Sequence, residues 1–480
     1  MRPVARSPAL LAVLALLAGC AVGPQYHLPT PPAGSETPLV SIRPEAETTA
    51  QPPDDWWRLY QDPVLDRLLN EAFAANTDLA AAEANLSASR AVLEAARAGR
   101  YPATTAEFGA VYGRDPVTNE ILEIDGHKPV TTWVFDDVFD VSYELDLFGR
   151  VRRSIEASHA DAQAAAAARD GLKITVAAET TRAYAQICTL GEQLAVARHS
   201  LDVVAHEAEI TRQRHDAGAN SRFDVLRAEG LVAQVRSNIP TLEGQRRAAV
   251  FQLAALLGRT PANAPVDAEA CVTAPGLSAP IPVGDGATLL KRRPDVRAAD
   301  RRIAAATARI GVATSDLYPR ISLTGFWGGG AADINDLTTN TGLIWGVGPK
   351  ISWSFPNQTL PRARIRQARS GEAAALASFD STVLQALKET ETALTAYGAE
   401  LDRRQALVEA QDKTHQAFDL AHDQFLAGSL SNLELLTTEQ SLVAADSAVA
   451  VSDAALVQDQ IAVFKALGGG WRGPSGPHTK

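Results

Sequence analysis

The sequence predicts a mixed membrane fold in which very long α-helices run into amphipathic β-strands, built from two tandem copies of one unit. Three observations carry this. No proline occurs between Val130 and Ile239 or between Arg362 and Gly473, as uninterrupted helix requires. Four windows alternate apolar and polar residues with the period of a strand. Long stretches of the first half return in the second at a constant offset.

At the N-terminus, Arg2 and Arg6 precede an apolar run from Ala9 to Ala18. That run is too short to span a bilayer and suits a secretory leader, so residues 1–19 are read as a signal peptide. It ends in Leu17-Ala18-Gly19-Cys20, which resembles the lipobox of bacterial lipoproteins. The resemblance implies that Cys20 is lipidated and becomes the new N-terminus. Ala21, standing where an aspartate would retain such a protein in the inner membrane, implies sorting to the outer membrane. Acyl chains anchor a chain without spanning anything. Residues 20–60, rich in proline and polar side chains, are read as a lipid-anchored extended segment.

Composition narrows the partners. The chain carries 56 acidic against 45 basic residues, a net charge of −11, which loss of Arg2 and Arg6 deepens to −13. An acidic surface without lysine or arginine clusters argues against nucleic acid and anionic lipid head groups. No run after residue 20 approaches 18 apolar residues, so no transmembrane helix is expected.

The duplication organises the rest. "NTDLAAAEANL" from Asn76 and "RPDVRAADRRI" from Arg293 align at an offset of 217, which also pairs Tyr101-Pro102 with Tyr318-Pro319. Further on the offset is 210, matching "AGANSRFDVLRAE" from Ala217 to "AGSLSNLELLTTE" from Ala427. Repeat 1 is placed at 61–270 and repeat 2 at 278–470, with a tail at 471–480. Each repeat reads as a helix (Asp62 to Gly99, or Ala287 to Asp316), two strands, a long helix to Ala-Gly, and a returning helix to Leu-Gly. Pro240, opposite Ala450, is expected to kink or break its helix. The first long helix, Arg150 to Asp216, should reach roughly 100 Å, so two shorter helices stacked end to end would match it and form a tall cylinder wall.

Strands are expected at about 101–113, 137–147, 319–328 and 343–355. In "FDVSYELDLF", Phe139, Val141, Tyr143, Leu145 and Leu147 alternate with Asp140, Ser142, Glu144 and Asp146. The windows 101–148 and 318–356 hold 14 of the 28 aromatic residues. That concentration favours a membrane barrel with aromatic girdles over a half-buried soluble sheet. Four strands cannot close a barrel, and an open edge is not tolerated in lipid. The chain must share its barrel with copies of itself: two copies give eight strands and three give twelve.

"CAVGPQYHLP", "WWRLYQDPVLDRLLNEAFAANTDL", "RPDVRAADRRI" and the Ala-Gly turns resemble the outer-membrane factors of tripartite efflux pumps, in particular their lipoprotein branch. The resemblance implies a homotrimer with a twelve-stranded transmembrane β-barrel on a periplasmic α-helical barrel. It also implies a periplasmic adaptor that meets the turns and links them to an inner-membrane pump. The expected role is a passive exit duct for small toxic compounds, needing no cofactor. An exit duct for protein secretion is the alternative of the same architecture. A lipid-tethered periplasmic enzyme is the alternative of another class, but no GxSxG, HExxH or P-loop occurs. The pairs His199/His206 and His415/His422, spaced by seven, read as helix-surface residues rather than metal ligands.

The same resemblance places a periplasmic aperture at Glu434, with Asp224 as its repeat partner. The place of a second acid is held by Thr437, and by Arg227 in the other half, which puts a double acidic ring in doubt. Adaptor docking is expected at the turns Gly218-Ala219-Asn220-Ser221 and Gly428-Ser429-Leu430-Ser431. Cys188 should lie roughly 45 Å from the Gly218 turn along the long helix, and the returning helix ends at Gly258, roughly 60 Å from that turn and shortly before Cys271, a difference the connecting loop can cover. Either a disulfide or two separate thiols fits that spacing.

Overall fold

A computed structural model describes residues 21–114, 124, 126, 128–340 and 342–469. The leader, Cys20 and the tail at 471–480 fall outside the described residues. The chain forms two compact units, one of Met1–Pro29, Leu86–Ala165 and Ala299–Phe379, the other of Thr30–Asn85, Ala166–Ala298 and Asp380–Lys480.

The first unit holds an antiparallel sheet of β2 (Ala103–Gly113), β3 (Thr132–Leu145), β5 (Arg320–Ala331) and β6 (Leu343–Ser352), hydrogen-bonded in that order. Its register sorts side chains by face. One row runs Ala106–Phe139–Trp327–Trp345, and the same face carries Phe108, Tyr112, Trp133, Phe135, Val141, Tyr143, Leu323, Val347 and Ile351. The opposite face carries Glu107, Asp136, Asp140, Glu144, Arg320, Thr324 and Lys350. The exception on the apolar face is Asp137, whose Oδ1 accepts the Gly329 N–H at 2.7 Å. Strand boundaries differ from expectation by up to five residues, and β5 runs on to Ala331, not 328. β3 begins at Thr132, not 137, because Trp133, Val134 and Phe135 pair with Tyr112, Val111 and Ala110 and extend the ladder. β6 stops at Ser352, before Trp353 and Phe355. Those two rings stack on each other at 4.7 Å, and the Trp353 indole donates to the Leu317 carbonyl.

Also in this unit, the extended N-terminal segment meets helices α3 (Arg150–Asp216) and α6 (Pro294–Ser315), with the Arg153 side chain donating to the Val22 carbonyl. The Val22 N–H donates to the Phe148 carbonyl at 3.2 Å. Gly23, at φ +92°, sits so close to Gly311 that an added Cβ would lie 2.5 Å from its Cα. The Tyr26 hydroxyl donates to Asp300, and the Arg301 guanidinium stands 5.3 Å from the Tyr26 ring. Burial, followed by the Asp300 carboxylate, pushes the Tyr26 hydroxyl's pKa well up.

The second unit is helical. Its core gathers Trp56, Leu65, Leu68, Leu69, Ile187, Leu253, Ile281, Leu394 and Phe464, with Trp56 stacked on Phe464 at 4.8 Å. A two-residue parallel pairing of β1 (Glu47–Thr48) with β4 (Ile281–Pro282) ties the N-terminal segment to the stretch just before Gly286.

The helix expected from Asp62 to Gly99 is two helices, α1 (Pro63–Ala75) and α2 (Thr77–Ala98). Asn76 between them takes extended backbone, and its Oδ1 caps α2 by accepting the N–H groups of Asp78 and Leu79 at 3.0 and 3.1 Å. The helix expected from Ala287 to Asp316 is likewise broken, into α5 (Gly286–Arg292) and α6, at Arg293. Arg293 precedes a proline, which disfavours helical backbone there. Asn76 and Arg293 are repeat partners at the offset of 217, so both copies break at one place by different chemistry. By contrast, α4 (Arg222–Leu256) runs unbroken through Pro240. That proline is exposed, so water can serve the carbonyl left without its helical donor.

The long helices are α3, with 67 residues, and α7 (Thr359–Leu426), with 68. The last helix, α8 (Asn432–Ala466), is the one helix among the described residues that is long and apolar enough to cross a membrane by composition. It nevertheless carries Glu434, Glu439, Asp446, Asp453 and Asp459 along its length.

Candidate functional site

Two helix-to-helix turns, α3 to α4 and α7 to α8, are built alike. At the end of α3, Gly218 takes φ +80°; its N–H donates to the His215 carbonyl, and the Ala219 N–H reaches back to Arg214 at 2.7 Å. At the end of α7, Gly428 takes φ +76°, with its N–H on Phe425 and the Ser429 N–H on Gln424, both at 3.0 Å. This left-handed cap satisfies the last carbonyls of a helix and favours glycine. Nothing stands within 4 Å of an added Cβ at either glycine, so the backbone angle alone demands the residue.

Each turn then starts the next helix with a reciprocal cap. Ser221 Oγ accepts the Asp224 N–H at 3.2 Å, while Asp224 Oδ2 accepts from the Ser221 N–H and hydroxyl at 3.0 and 2.7 Å. Ser431 and Glu434 repeat this at 3.3, 3.1 and 2.8 Å. The Ser431 hydroxyl, then its N–H, hold the Glu434 carboxyl below its ordinary pKa. The Ser221 hydroxyl leads the same effect at Asp224, where the Asn432 side chain also contributes. Both acids named as aperture residues are therefore engaged as helix caps in this conformation. Sequence reasoning missed that pairing, although the spacing S-x-x-D/E that signals it is plain in "SRFD" and "SNLE".

The two turns are neighbours. Arg214 donates to the Phe425 carbonyl at 2.7 Å and lies 4.2 Å from the Phe425 ring. The Thr211 hydroxyl donates to Asn432 Oδ1 at 3.1 Å. Asn220 receives His215 Nδ1 on its carbonyl, and Leu430 packs against Phe425 and Leu435. Thr437 turns its hydroxyl back onto the Leu433 and Glu434 carbonyls, and Arg227 stands 5.7 Å from the Phe223 ring. Neither adds a second acid. Around the tips, Phe223, Leu226, Leu426 and Leu433 remain exposed.

Away from the turns, Cys188 and Cys271 form a disulfide with a Cα–Cα separation of 4.7 Å. It joins α3 to the segment after α4. Arg246 donates to the Cys271 carbonyl at 2.9 Å, and Glu192 accepts the Ala274 N–H at 2.8 Å. The histidines divide. His199, His206 and His415 are exposed as expected, but His422 is half-buried beside Glu207. Cys20, the lipidation residue, lies outside the described residues.

A sheet with one aromatic face and one charged face, joined to long capped helices, defines the class of outer-membrane channel proteins. The outer membrane efflux protein profile matches residues 68–259 and 287–469. The outer membrane protein OprJ of Pseudomonas aeruginosa is 30% identical over 98% of this chain and 97% of its own length. A probable outer membrane lipoprotein of Salmonella typhimurium, SilC, is 26% identical over 96% of this chain and 98% of its own. The solved outer-membrane channel OprN is 34% identical and superimposes with a TM-score of 0.87 over 94% of this chain and all of its own. This chain belongs to the outer membrane efflux protein family. Its place is the outer membrane, and its family and fold are those of channels rather than enzymes.

Proposed function

We propose that this chain is the exit duct of a tripartite efflux system, three copies of which close one twelve-stranded barrel above a helical barrel. One observation carries the reading. The sheet is open, with β2 and β6 as edges, and it has an apolar aromatic face of transmembrane length. Lipid accepts such strands only when neighbours complete the hydrogen bonding. The charged face then lines the tube. Glu107, Asp136, Asp140 and Glu144 against Arg320 and Lys350 give the lining a mild preference for cations.

In this reading the helical part stands in the periplasm. The turns at Gly218–Ser221 and Gly428–Ser431 meet an adaptor, an inner-membrane pump supplies the driving force, and small toxic compounds are the cargo. Glu434 and Asp224 narrow the periplasmic end once three copies surround an axis. Cys20 carries the acyl anchor, and the segment to about residue 60 is a strap along the barrel. The two-repeat organisation is supported by the profile's two matched stretches. The test is the mass of the detergent-solubilised protein. A species of three chains is expected, and a population that is mainly monomer overturns the shared barrel.

A further inference from the structure

Above the turns, three polar side chains are set among two apolar clusters. Ile210, Phe418, Ala421, Phe425 and Leu435 form one cluster. Val204, Leu231, Val235, Leu436 and Val443 form the other. Among these residues stand Glu207 of α3, midway in sequence between Val204 and Ile210, His422 of α7, next to Ala421, and Glu439 of α8, between Leu436 and Val443. Glu207 is 5% exposed and Glu439 only 1%. His422 Nδ1 stands 3.0 Å from Glu207 Oε1, close enough for an ion pair although off-line for a hydrogen bond. Glu207 Oε2 and Glu439 Oε1 are buried with no hydrogen-bond partner.

An unpaired carboxylate in such a place is costly. Asp446, further along α8, shows the ordinary remedy: its Oδ1 receives Gln411 at 2.9 Å and His415 at 2.8 Å. Glu439 Oε1 has no such donor. The charged groups acting on this cluster are Glu207 and His206 from α3, His422 from α7 and Glu439 from α8. α4 contributes the apolar Leu231, Val232 and Val235 to the neighbouring packing.

We propose that Glu207, His422 and Glu439 form a proton-operated latch that fastens α8 to α3 and α7 about two turns from the helix start. A proton on Glu439 removes one of two buried like charges and leaves a single negative charge for His422 to face. Loss of that proton places two buried like charges together and drives α8 away. Burial, then the Glu207 charge, push the Glu439 carboxyl up to about 8; burial also raises Glu207, against the pull of His422 and His206. The folded value of Glu439 lies above that of an unfolded chain. The packing is therefore firmest in acid and loosens as pH rises through about 8.

The test uses the full chain in detergent. Amide exchange of residues 432–443, corrected for the chemical effect of pH, is expected to lose protection as pH passes about 8. Glu439→Gln, a neutral isostere, should keep that protection across the range. Glu207→Gln, which removes the opposing charge, should move the transition to lower pH. An identical profile in Glu439→Gln and the parent overturns the latch. The infrared band of neutral carboxyl groups, followed in the parent alone, decides the matter if a variant fails to fold. Its loss through about pH 8 supports the latch, and its absence at neutral pH overturns it.

Discussion

Breaking the Cys188–Cys271 bond should weaken the protein without undocking the segment it holds. The bond closes a loop spanning 83 residues of sequence separation. In the chain-entropy account a loop of that size restricts the unfolded ensemble by about 4.5 kcal/mol. The folded side changes little on its removal. Arg246 still holds the Cys271 carbonyl, Arg247 still pairs with Glu269 at 3.0 Å, and Glu192 still accepts the Ala274 N–H. Cys188 is fully buried, so reductant alone should act slowly on the folded protein, and the double variant Cys188→Ala, Cys271→Ala is the cleaner perturbation. The expected result is a lower urea midpoint for the helical signal, with unchanged proteolysis of residues 259–285 under native conditions. Alkylation under denaturing conditions should add mass at these two residues only after reduction. Equal alkylation with and without reductant would refute the bond, and an unshifted midpoint in the double variant would refute the entropic argument.

Other outcomes follow from the turns and the N-terminal segment. Gly428→Ala should cost about 1 kcal/mol, the strain of a left-handed angle in open space, whereas Gly258→Ala, whose Cβ would lie 2.5 Å from the Ala75 carbonyl oxygen, should cost clearly more; equal thermal shifts would contradict this. Ser431→Ala should lower stability by about 1 kcal/mol and raise amide exchange in the first turn of α8. Because the Glu434 carboxyl is held below its ordinary value when folded, its cap persists at neutral pH and is lost as pH falls through that lowered value, read as exchange at residues 432–436. Glu434→Ala should change single-channel conductance and cation preference in planar bilayers; values matching the parent would remove Glu434 from the constriction. Gly23→Ala should expose residues 21–29 to protease, since both its φ of +92° and the contact with Gly311 reject a side chain.

The long-range plan of this protein was legible because it rests on strong periodic signals. Proline-free stretches located α3 and α7, and alternation located β2, β3, β5 and β6. What escaped was local and chemical. Asn76 breaks a helical pattern without a glycine or proline, through a side chain that prefers capping the next helix to continuing the last. The break at Arg293 does have a signal in the sequence, since Pro294 disfavours helical backbone in the residue before it. Glu434 and Asp224 read as acids near a turn, whereas the serine three residues before each is what engages them. Glu207 and Glu439 could not be recognised as buried, because Glu207 stands 215 residues before His422 and 232 before Glu439, and a single glutamate in an alanine-rich helix looks like any solvated one.

The two capped turns have a consequence for whatever meets them. Each of these helix ends closes its terminal carbonyls with its own following amides, and each next helix covers early amides with its own serine and acid. Little main-chain hydrogen-bonding capacity is left for an incoming molecule to complete, as it could at a bare strand edge. Recognition at the tips must therefore depend on contour and on side chains, with Phe223, Leu226, Leu426 and Leu433 supplying the greasy relief. Such a blunt, self-contained end permits repeated engagement and release, because parting from it strands no backbone group.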